Sequence, residues 1–316
     1  MAGPVSSEAV AASPEANPFA AGVAHIDGVY VPIHEARIPL LDWGFIRSDA
    51  FQETVSVWDG AFFRLDDHLA RFRRSAERLR MTVPPEAEIR AVLHGLVART
   101  GLREAYVQFL MTRGVPPIGS RDVRRAVNRF QAYAIPYVWI ATPEVQARGL
   151  HLHVSDRRRI PPQSVDPMVK HYHWLEFQLG LLDAYDAGAE TVLLKDLDGN
   201  VAEGPGFNLF VVKHGRLATP PAVNVLDGMT RRTVLELLGD LQLKAEERPV
   251  AVAELGEADE VFLTTTAGGV LPVTVIDGAP VAAGVPGPIA VQLQDTYWAK
   301  RKAGWLATPV DFGAGD

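Results

Sequence analysis

The chain has 316 residues, no cysteine and a formal net charge of −7, with 47% hydrophobic and 22% charged residues. This composition indicates a folded protein of one large domain or two unequal lobes, and the missing cysteines exclude disulfides, thiolate metal sites and cysteine nucleophiles. The acidic balance disfavours nucleic acid and membrane surfaces as partners. With Arg37 as the first Arg or Lys and no apolar run of ~18 residues, we expect a cytoplasmic protein without a signal peptide.

The first part of the chain predicts an arm, a hairpin and two helices. Residues 1–22 are rich in Ala, Pro, Ser and Glu without a period, which is typical of a flexible arm. Asp59-Gly60 lies between two β-rich runs and predicts a hairpin. A helix then begins with Asp66-Asp67 as its N-cap, and a second amphipathic helix spans Glu88–Thr100.

Strand-like runs beginning at Glu104 and Arg129 complete an N-terminal lobe. The polar, turn-prone segment 142–149 predicts the linker between lobes of residues 23–141 and 150–316. In the second lobe we predict, in chain order, a strand from Leu150, a helix from Trp174 to Ala187, hairpin turns at Asp198-Gly199 and His214-Gly215, a helix over Thr230–Leu243, and a strand running into Thr264–Gly269. This order favours an α+β chain of two lobes over a regular βαβ array.

Several common motifs are absent or ambiguous. There is no Gly-x-Ser-x-Gly elbow, no Walker-type phosphate loop and no Gly-x-Gly-x-x-Gly after a strand. The basic run Asp156–Pro162 is interpreted as a solvated turn. Two His-x-His pairs, at 151/153 and 171/173, fit a transition-metal site, but no further ligand spacing completes one, so packing roles are favoured and we predict no metal.

Lys170 stands in the stretch PPQSVDPMVKHYHW among prolines, histidines and aromatic residues. An amine becomes a nucleophile at neutral pH when burial or a neighbouring cation lowers its pKa. By itself the lysine is better explained as a surface charge whose alkyl stem packs on apolar residues.

Glu203 opens the run EGPGFNLF. Two glycines allow the backbone to approach a flat ligand, and the carboxylate would hydrogen-bond a ring nitrogen and keep it protonated. A tight turn with an exposed glutamate is the alternative.

A third group of residues would bind an anion: Arg71, the helix start GMTRR at 228–232, and TTTAGG at 264–269. Helix N-termini, hydroxyls and guanidinium groups all donate hydrogen bonds to phosphate. Each alone could be a cap or a surface charge. Together with a lysine and a carboxylate for a ring nitrogen, they describe a site for pyridoxal phosphate.

In this order, VKHYHW, EGPGFN, LDGMTRRTV and TTTAGG resemble the fold-type IV aminotransferases over roughly residues 24–305. The resemblance implies a small N-terminal α/β lobe, a larger C-terminal pseudo-barrel lobe and a homodimer. It also implies that Lys170 binds pyridoxal 5'-phosphate covalently and moves protons, that Glu203 holds the ring nitrogen and that Leu226 packs beneath the ring. Arg71 with Met229, Thr230, Thr265 and Thr266 would bind the phosphate.

The sequence around the predicted pocket looks most like that of (R)-selective amine transaminases. This resemblance implies transfer of an amino group from an (R)-amine or D-amino acid to an α-keto acid such as pyruvate. The transfer would take two half-reactions through pyridoxamine phosphate. The resemblance places a substrate wall at Phe51 and Gln52, where related enzymes have a tyrosine in place of Gln52. We also expect Arg121, His173 and Trp174 to contact substrate.

Three alternatives stay open. An L-branched-chain aminotransferase and an aminodeoxychorismate-type lyase share the same scaffold, and a histidine-based metal-binding protein is the alternative from a different class.

Overall fold

The computed structural model describes residues 19–314, so the arm predicted for residues 1–22 lies almost entirely outside the described residues. The strands are Val23–Ile26 (β1), Val29–Pro32 (β2), Ala50–Trp58 (β3), Ala61–Phe63 (β4), Ala105–Thr112 (β5), Arg129–Pro136 (β6), Leu150–Arg158 (β7), Thr191–Lys195 (β8), Asn208–Lys213 (β9), Arg216–Thr219 (β10), Ala245–Glu247 (β11), Glu260–Thr265 (β12), Gly269–Ile276 (β13), Ala279–Pro280 (β14) and Ala307–Pro309 (β15). The helices are Trp43–Ile46 (α1), Leu65–Leu79 (α2), Glu86–Thr100 (α3), Pro143–Arg148 (α4), Leu175–Asp186 (α5), Met229–Asp240 (α6), Ala253–Gly256 (α7) and Pro288–Lys302 (α8).

Two sheets organise these elements. The first is antiparallel, in the order β15-β4-β3-β5-β6-β1-β2, with α2 and α3 packed on it. The second is mixed, in the order β11-β10-β9-β12-β13-β7-β8, with β7 parallel to both neighbours. An α+β architecture with two sheets is therefore confirmed, and β15 near the C-terminal end of the chain returns to the N-terminal sheet.

Burial explains the difference between the two sheets. In β5 every second residue is buried from Ala105 to Met111, as expected for a strand with one face on a core. Strands β8, β9 and β12 are buried almost continuously, because apolar cores cover both faces of the second sheet.

β3 is buried along almost its whole length. Successive side chains of a strand point to opposite faces, so Phe51 and Val55 join the core with α2 while Gln52 and Thr54 face the other way. This strand is the wall that the first sheet contributes to the site described below.

Most predicted elements are confirmed with small shifts, including the hairpin at Asp59-Gly60 and the helix over residues 88–100, which begins at Glu86. The predicted N-cap of the first long helix is wrong. That helix begins at Leu65 after Arg64, which has left-handed backbone, and the two aspartates lie in its first turn. The predicted linker contains α4, capped by Thr142, and the division into lobes at this point stays a prediction.

In the described part of the chain, every helix is too short or too polar to cross a bilayer.

Gly204 is required by close packing next to Glu203. A Cβ atom at this position would lie 2.4 Å from the carbonyl oxygen of Val192 and 2.0 Å from Cζ of Phe207. We expect Gly204→Ala to lower the free energy of unfolding by about 1–3 kcal/mol, measured by urea denaturation. Gly239→Ala is the matched control: it lies in α6 with open space around it, and should leave stability unchanged or raise it by at most about 1 kcal/mol. Equal effects of the two substitutions would contradict this packing argument.

Candidate active site

A cavity of about 620 Å³ lies between the two sheets. Its walls come from β3 and β5 on one side, and from the segment around Lys170, the turn after Glu203, the start of α6 and the loop after β12 on the other. All eight residues predicted to hold the cofactor line it: Arg71, Lys170, Glu203, Leu226, Met229, Thr230, Thr265 and Thr266. Residues separated by nearly 200 positions in sequence therefore meet in one cavity.

Lys170 is fixed to β3 through its backbone. Its carbonyl oxygen accepts a hydrogen bond of 2.9 Å from the N–H of Gln52. Burial, followed by the positive charge of Arg71, lowers the pKa of Lys170 to about 8. Since an amine is a nucleophile only when it is neutral, this lysine has a substantial neutral fraction near physiological pH.

Glu203 is a buried carboxylate that is held in place by donors from three segments. Oε1 accepts a hydrogen bond of 3.0 Å from Nε of Arg159, and Oε2 accepts one of 3.0 Å from the N–H of Leu226. Asn208 donates at 3.5 Å to Oε2 and also binds the carbonyl oxygen of Leu226. An ionised carboxylate has about four acceptor sites, so capacity remains for one donor from the cavity.

The N-terminus of α6 also faces the cavity. Its N-cap is Gly228, which provides no side-chain cap for the N–H groups of the first turn. A Cβ atom on Gly228 would lie 2.0 Å from Oδ1 of Asn208, so only glycine fits there. Thr264 also lines the cavity and is the strand partner of Asn208, and its Oγ1 is buried without a hydrogen-bond partner among the described residues. A helix N-terminus and an unpaired hydroxyl together form a site that suits an anion such as phosphate.

Arg71 belongs to a buried network that the sequence reasoning missed. Its Nε and Nη2 donate to the two carboxylate oxygens of Glu53 at 2.6 and 2.8 Å, and Nη1 donates to the carbonyl oxygen of Asp227 at 2.6 Å. Nδ1 of His68 lies 2.8 Å from the same carboxylate, and burial lowers the pKa of this histidine, so the neutral ring donates from Nδ1. A guanidinium has five N–H donors, so two remain free for a ligand in the cavity.

The structure places only some of the predicted substrate residues at the cavity. Gln52 and Trp174 line the cavity, but Phe51 is fully buried and packs on Phe72 at a ring distance of 4.8 Å. Adjacent residues of a strand face opposite sides, so Phe51 and Gln52 cannot both contact a ligand.

Two other predicted substrate residues lie elsewhere. His173 faces a separate cleft, while His171 lines the cavity in its place. Arg121 is exposed in the loop between β5 and β6 and does not line the cavity.

The basic run Asp156–Pro162 is not simply a solvated turn. Its Arg159 is 7% exposed and forms ion pairs with both Glu203 and Glu176. A buried carboxylate requires a cationic partner. The density of arginines in this run was the sequence feature that could have indicated such a partner for Glu203. Among residues 19–314, no group of three or more His, Asp or Glu side chains is placed to hold a metal.

Comparison with known proteins identifies the family. The model of amino-transferase class IV matches residues 50–276, well over half of the chain. This protein belongs to the class IV aminotransferases. It is 32% identical to a D-alanine aminotransferase of Bacillus licheniformis over 82% of this chain and 90% of the relative, and 29% identical to a branched-chain-amino-acid aminotransferase of Pseudomonas aeruginosa over 88% and 92%.

The fold agrees with this assignment. A branched-chain amino acid aminotransferase of T.th., solved with pyridoxamine 5'-phosphate, superimposes with a TM-score of 0.86 at 30% identity, over 93% of this chain and 100% of that one. The predictions of an aminotransferase and of fold type IV are therefore confirmed.

The buried pair of Glu53 and Arg71 gives a prediction for this class IV aminotransferase. Glu53→Gln leaves a buried guanidinium without its counter-charge, so we expect the free energy of unfolding to fall by about 3–5 kcal/mol. Denaturant titration measures the change. Glu257→Gln removes an exposed partner of Lys213 and should change stability by less than about 1 kcal/mol.

The same substitution should change acid stability. Burial alone would raise the pKa of Glu53, but the charge and hydrogen bonds of Arg71, with the hydrogen bond from His68, lower it from 4.5 to about 2. A depressed pKa means that the stabilisation is present above pH 4.5 and is lost as pH falls towards 2. Stability in that range should therefore fall less steeply in the variant; an identical pH dependence would contradict this role of Glu53.

Proposed function

We propose that this class IV aminotransferase binds pyridoxal 5'-phosphate at Lys170 and transfers the amino group of a branched-chain amino acid to an α-keto acid. The observation that carries the proposal is the meeting, in one cavity, of a lysine with lowered pKa, a buried carboxylate with remaining acceptor capacity and an uncapped helix N-terminus. Use of pyridoxal phosphate follows from the family and agrees with the pyridoxamine 5'-phosphate of the superimposed T.th. enzyme.

The residues present fit this cofactor. The free N–H groups at the start of α6, the unpaired hydroxyl of Thr264 and the two remaining donors of Arg71 would bind the phosphate. A carboxylate oxygen of Glu203 would accept a hydrogen bond from the protonated ring nitrogen. The lack of a Cβ at Gly228 allows Asn208 to approach and donate to the same carboxylate.

When bound, the cofactor withdraws electrons from the substrate carbon and carries the amino group between the two substrates. The protein supplies the rest. Lys170 would hold the cofactor covalently through Nζ, and as a free amine Nζ would accept and return the proton of the substrate carbon as general base and acid. Glu203, which is paired with Arg159, would accept a hydrogen bond from the ring nitrogen and favour its protonated form.

A branched-chain donor is supported by the relatives and by the wall of the cavity. The Pseudomonas and T.th. enzymes carry that name. Aliphatic side chains line the cavity: Val138, Ile140, Val145, Leu150, Val169 and Leu181. The donor first expected from the sequence, an (R)-amine or D-amino acid, is the second candidate, favoured by the 32% identity to the D-alanine aminotransferase. A homodimer and a cytoplasmic location stay predictions.

Lys170→Ala tests the cofactor bond. The purified wild-type protein should be yellow, and sodium borohydride should abolish the colour by reducing the bond to Lys170. The variant should not be labelled by borohydride, and its transaminase activity should fall by at least about 10²–10⁴-fold, because both the anchor and the acid–base group are lost. Retained activity, or a colourless wild type after addition of cofactor, would overturn the proposal.

A donor screen decides between the two candidate substrates. L-leucine, D-alanine and the two enantiomers of 1-phenylethylamine are each tested with pyruvate and 2-oxoglutarate, with Lys170→Ala as the blank. We expect kcat/KM for L-leucine to exceed the others by about tenfold or more, since the donors differ in handedness and in the group that the wall must contact. A preference for D-alanine or (R)-1-phenylethylamine would establish the second candidate, and pyruvate release from aminodeoxychorismate without an acceptor would indicate a lyase.

A further inference from the structure

His171 directly follows Lys170 and lines the same cavity. The residue is 5% exposed. Its backbone bridges to Phe51 of β3, next to the hydrogen bond between Gln52 and the carbonyl oxygen of Lys170. The two consecutive residues are thus anchored to the same strand, and the position of the imidazole relative to the amine is fixed.

The tautomer of His171 is set by the backbone. The N–H of His173 donates a hydrogen bond of 3.1 Å to Nδ1 of His171. Nδ1 is therefore an acceptor, and in the neutral ring the proton is on Nε2. In residues 19–314, Nε2 has no hydrogen-bond partner among the bonds of the protein and is not one of the fully enclosed polar atoms, so this donor is available to the cavity.

His171 stays uncharged at physiological pH. Burial, followed by the charges of Arg159, His173 and Lys170, lowers its pKa to about 3. The contacts of the ring also locate it. Its centroid lies 5.1 Å from that of the His173 ring, and His173 lines the separate cleft together with Arg158 and Ile160, the chain neighbours of the arginine that is paired with Glu203.

The chemistry of pyridoxal phosphate restricts what this donor would meet. In pyridoxal phosphate the aldehyde carbon, which would bond to Lys170, lies opposite the ring nitrogen, which would face Glu203. One side of the ring between these two positions carries the phosphate arm. The other side carries a hydroxyl and a methyl group. The phosphate donors are at Arg71, α6 and Thr264, so a donor near Lys170 and Arg159 lies towards the hydroxyl side.

We propose that His171 donates a hydrogen bond from Nε2 to the ring hydroxyl oxygen of bound pyridoxal phosphate, beside Nζ of Lys170. This role rests on the proposed function, because it requires that cofactor. The hydroxyl oxygen is ionised next to the protonated Nζ, and a donor to it takes up part of its negative charge. The hydrogen bond from His171 therefore lowers the pKa of the protonated Nζ of Lys170 in the cofactor-bound enzyme.

The test is a spectroscopic pH titration of the holoenzyme. The yellow band of the lysine-bound cofactor reports the proton at Nζ, so its loss with rising pH gives a midpoint. His171→Phe keeps a ring of similar size but removes the donor, and His171→Asn keeps an amide only near the position of Nδ1. We expect both to move the midpoint up by about one pH unit, the scale of one hydrogen bond to a charged group.

Two matched variants act as controls. His171→Gln places an amide N–H near the position of Nε2 and should restore the midpoint towards the wild type. His173→Ala keeps the backbone N–H that holds Nδ1, and its side chain faces another cleft, so the midpoint should not change. The other charged groups that act on Lys170, namely Arg71, Arg159, Glu53 and Glu203, are unchanged in all four variants.

The outcomes are distinct. If His171→Phe or, should that variant not fold, His171→Asn titrates with the midpoint of the wild type, His171 does not contact the hydroxyl and the inference is overturned. If His171→Gln shifts as far as His171→Asn, a donor at Nε2 is likewise not the cause. A wild-type protein without a borohydride-sensitive band would instead overturn the proposed function itself.

Discussion

The site depends on how its buried positive charges are compensated. Arg71, Arg159 and Lys170 line one cavity, and removing a cation from water is costly unless it is paired or loses its proton. An arginine cannot lose its proton in a protein, and each arginine here is bonded to a buried glutamate, Arg71 to Glu53 and Arg159 to Glu203. Lys170 forms no ion pair in the described chain, so its pKa falls instead, which is the property that the chemistry requires.

Strand β3 connects the two halves of the fold to this charge arrangement. On its α2 face, Glu53 fixes Arg71 and contacts His68 within the core of the first sheet. On its cavity face, the backbone of Gln52 binds the carbonyl oxygen of Lys170. A shift of this strand by one residue would exchange its two faces, so the register of β3 with β5 determines the positions of both Arg71, the proposed phosphate ligand, and Lys170.

Local patterns in the sequence predicted the elements well because periodicity and turn residues act over a few positions. The order of Lys170, Glu203 and the predicted phosphate donors also predicted a set of residues that the fold brings together in one cavity. Prediction failed for buried charges whose partners lie far away in the sequence. Glu53 is buried because it pairs with Arg71, 18 positions later, and Arg159 is buried because it pairs with Glu203, 44 positions later. The N-cap at Arg64 was missed for a related reason, since its side chain binds Glu236 of α6.

The substrate wall could not be predicted from residue types because it depends on which hydrogen bonds are already used. The hydroxyl of Thr54 donates at 3.0 Å to the carbonyl oxygen of the Gln52 side chain, and Tyr106 lies 3.3 Å from that hydroxyl. In this series of hydrogen bonds, the side-chain amide nitrogen of Gln52 is therefore the group that is left to donate a hydrogen bond to a ligand.

This arrangement bears on the choice of donor. Both arginines that line the cavity in the described chain are bonded to glutamates, so the donors left for a substrate carboxylate are mainly neutral ones such as the amide of Gln52. Neutral donors can bind a carboxylate, yet leaving them unpaired costs less than leaving a buried charge unpaired. An amine that lacks a carboxylate would leave these neutral donors unpaired when it binds. This costs less binding free energy than leaving a buried arginine unpaired would cost. The aliphatic surface, more than a charge, would then distinguish one donor from another.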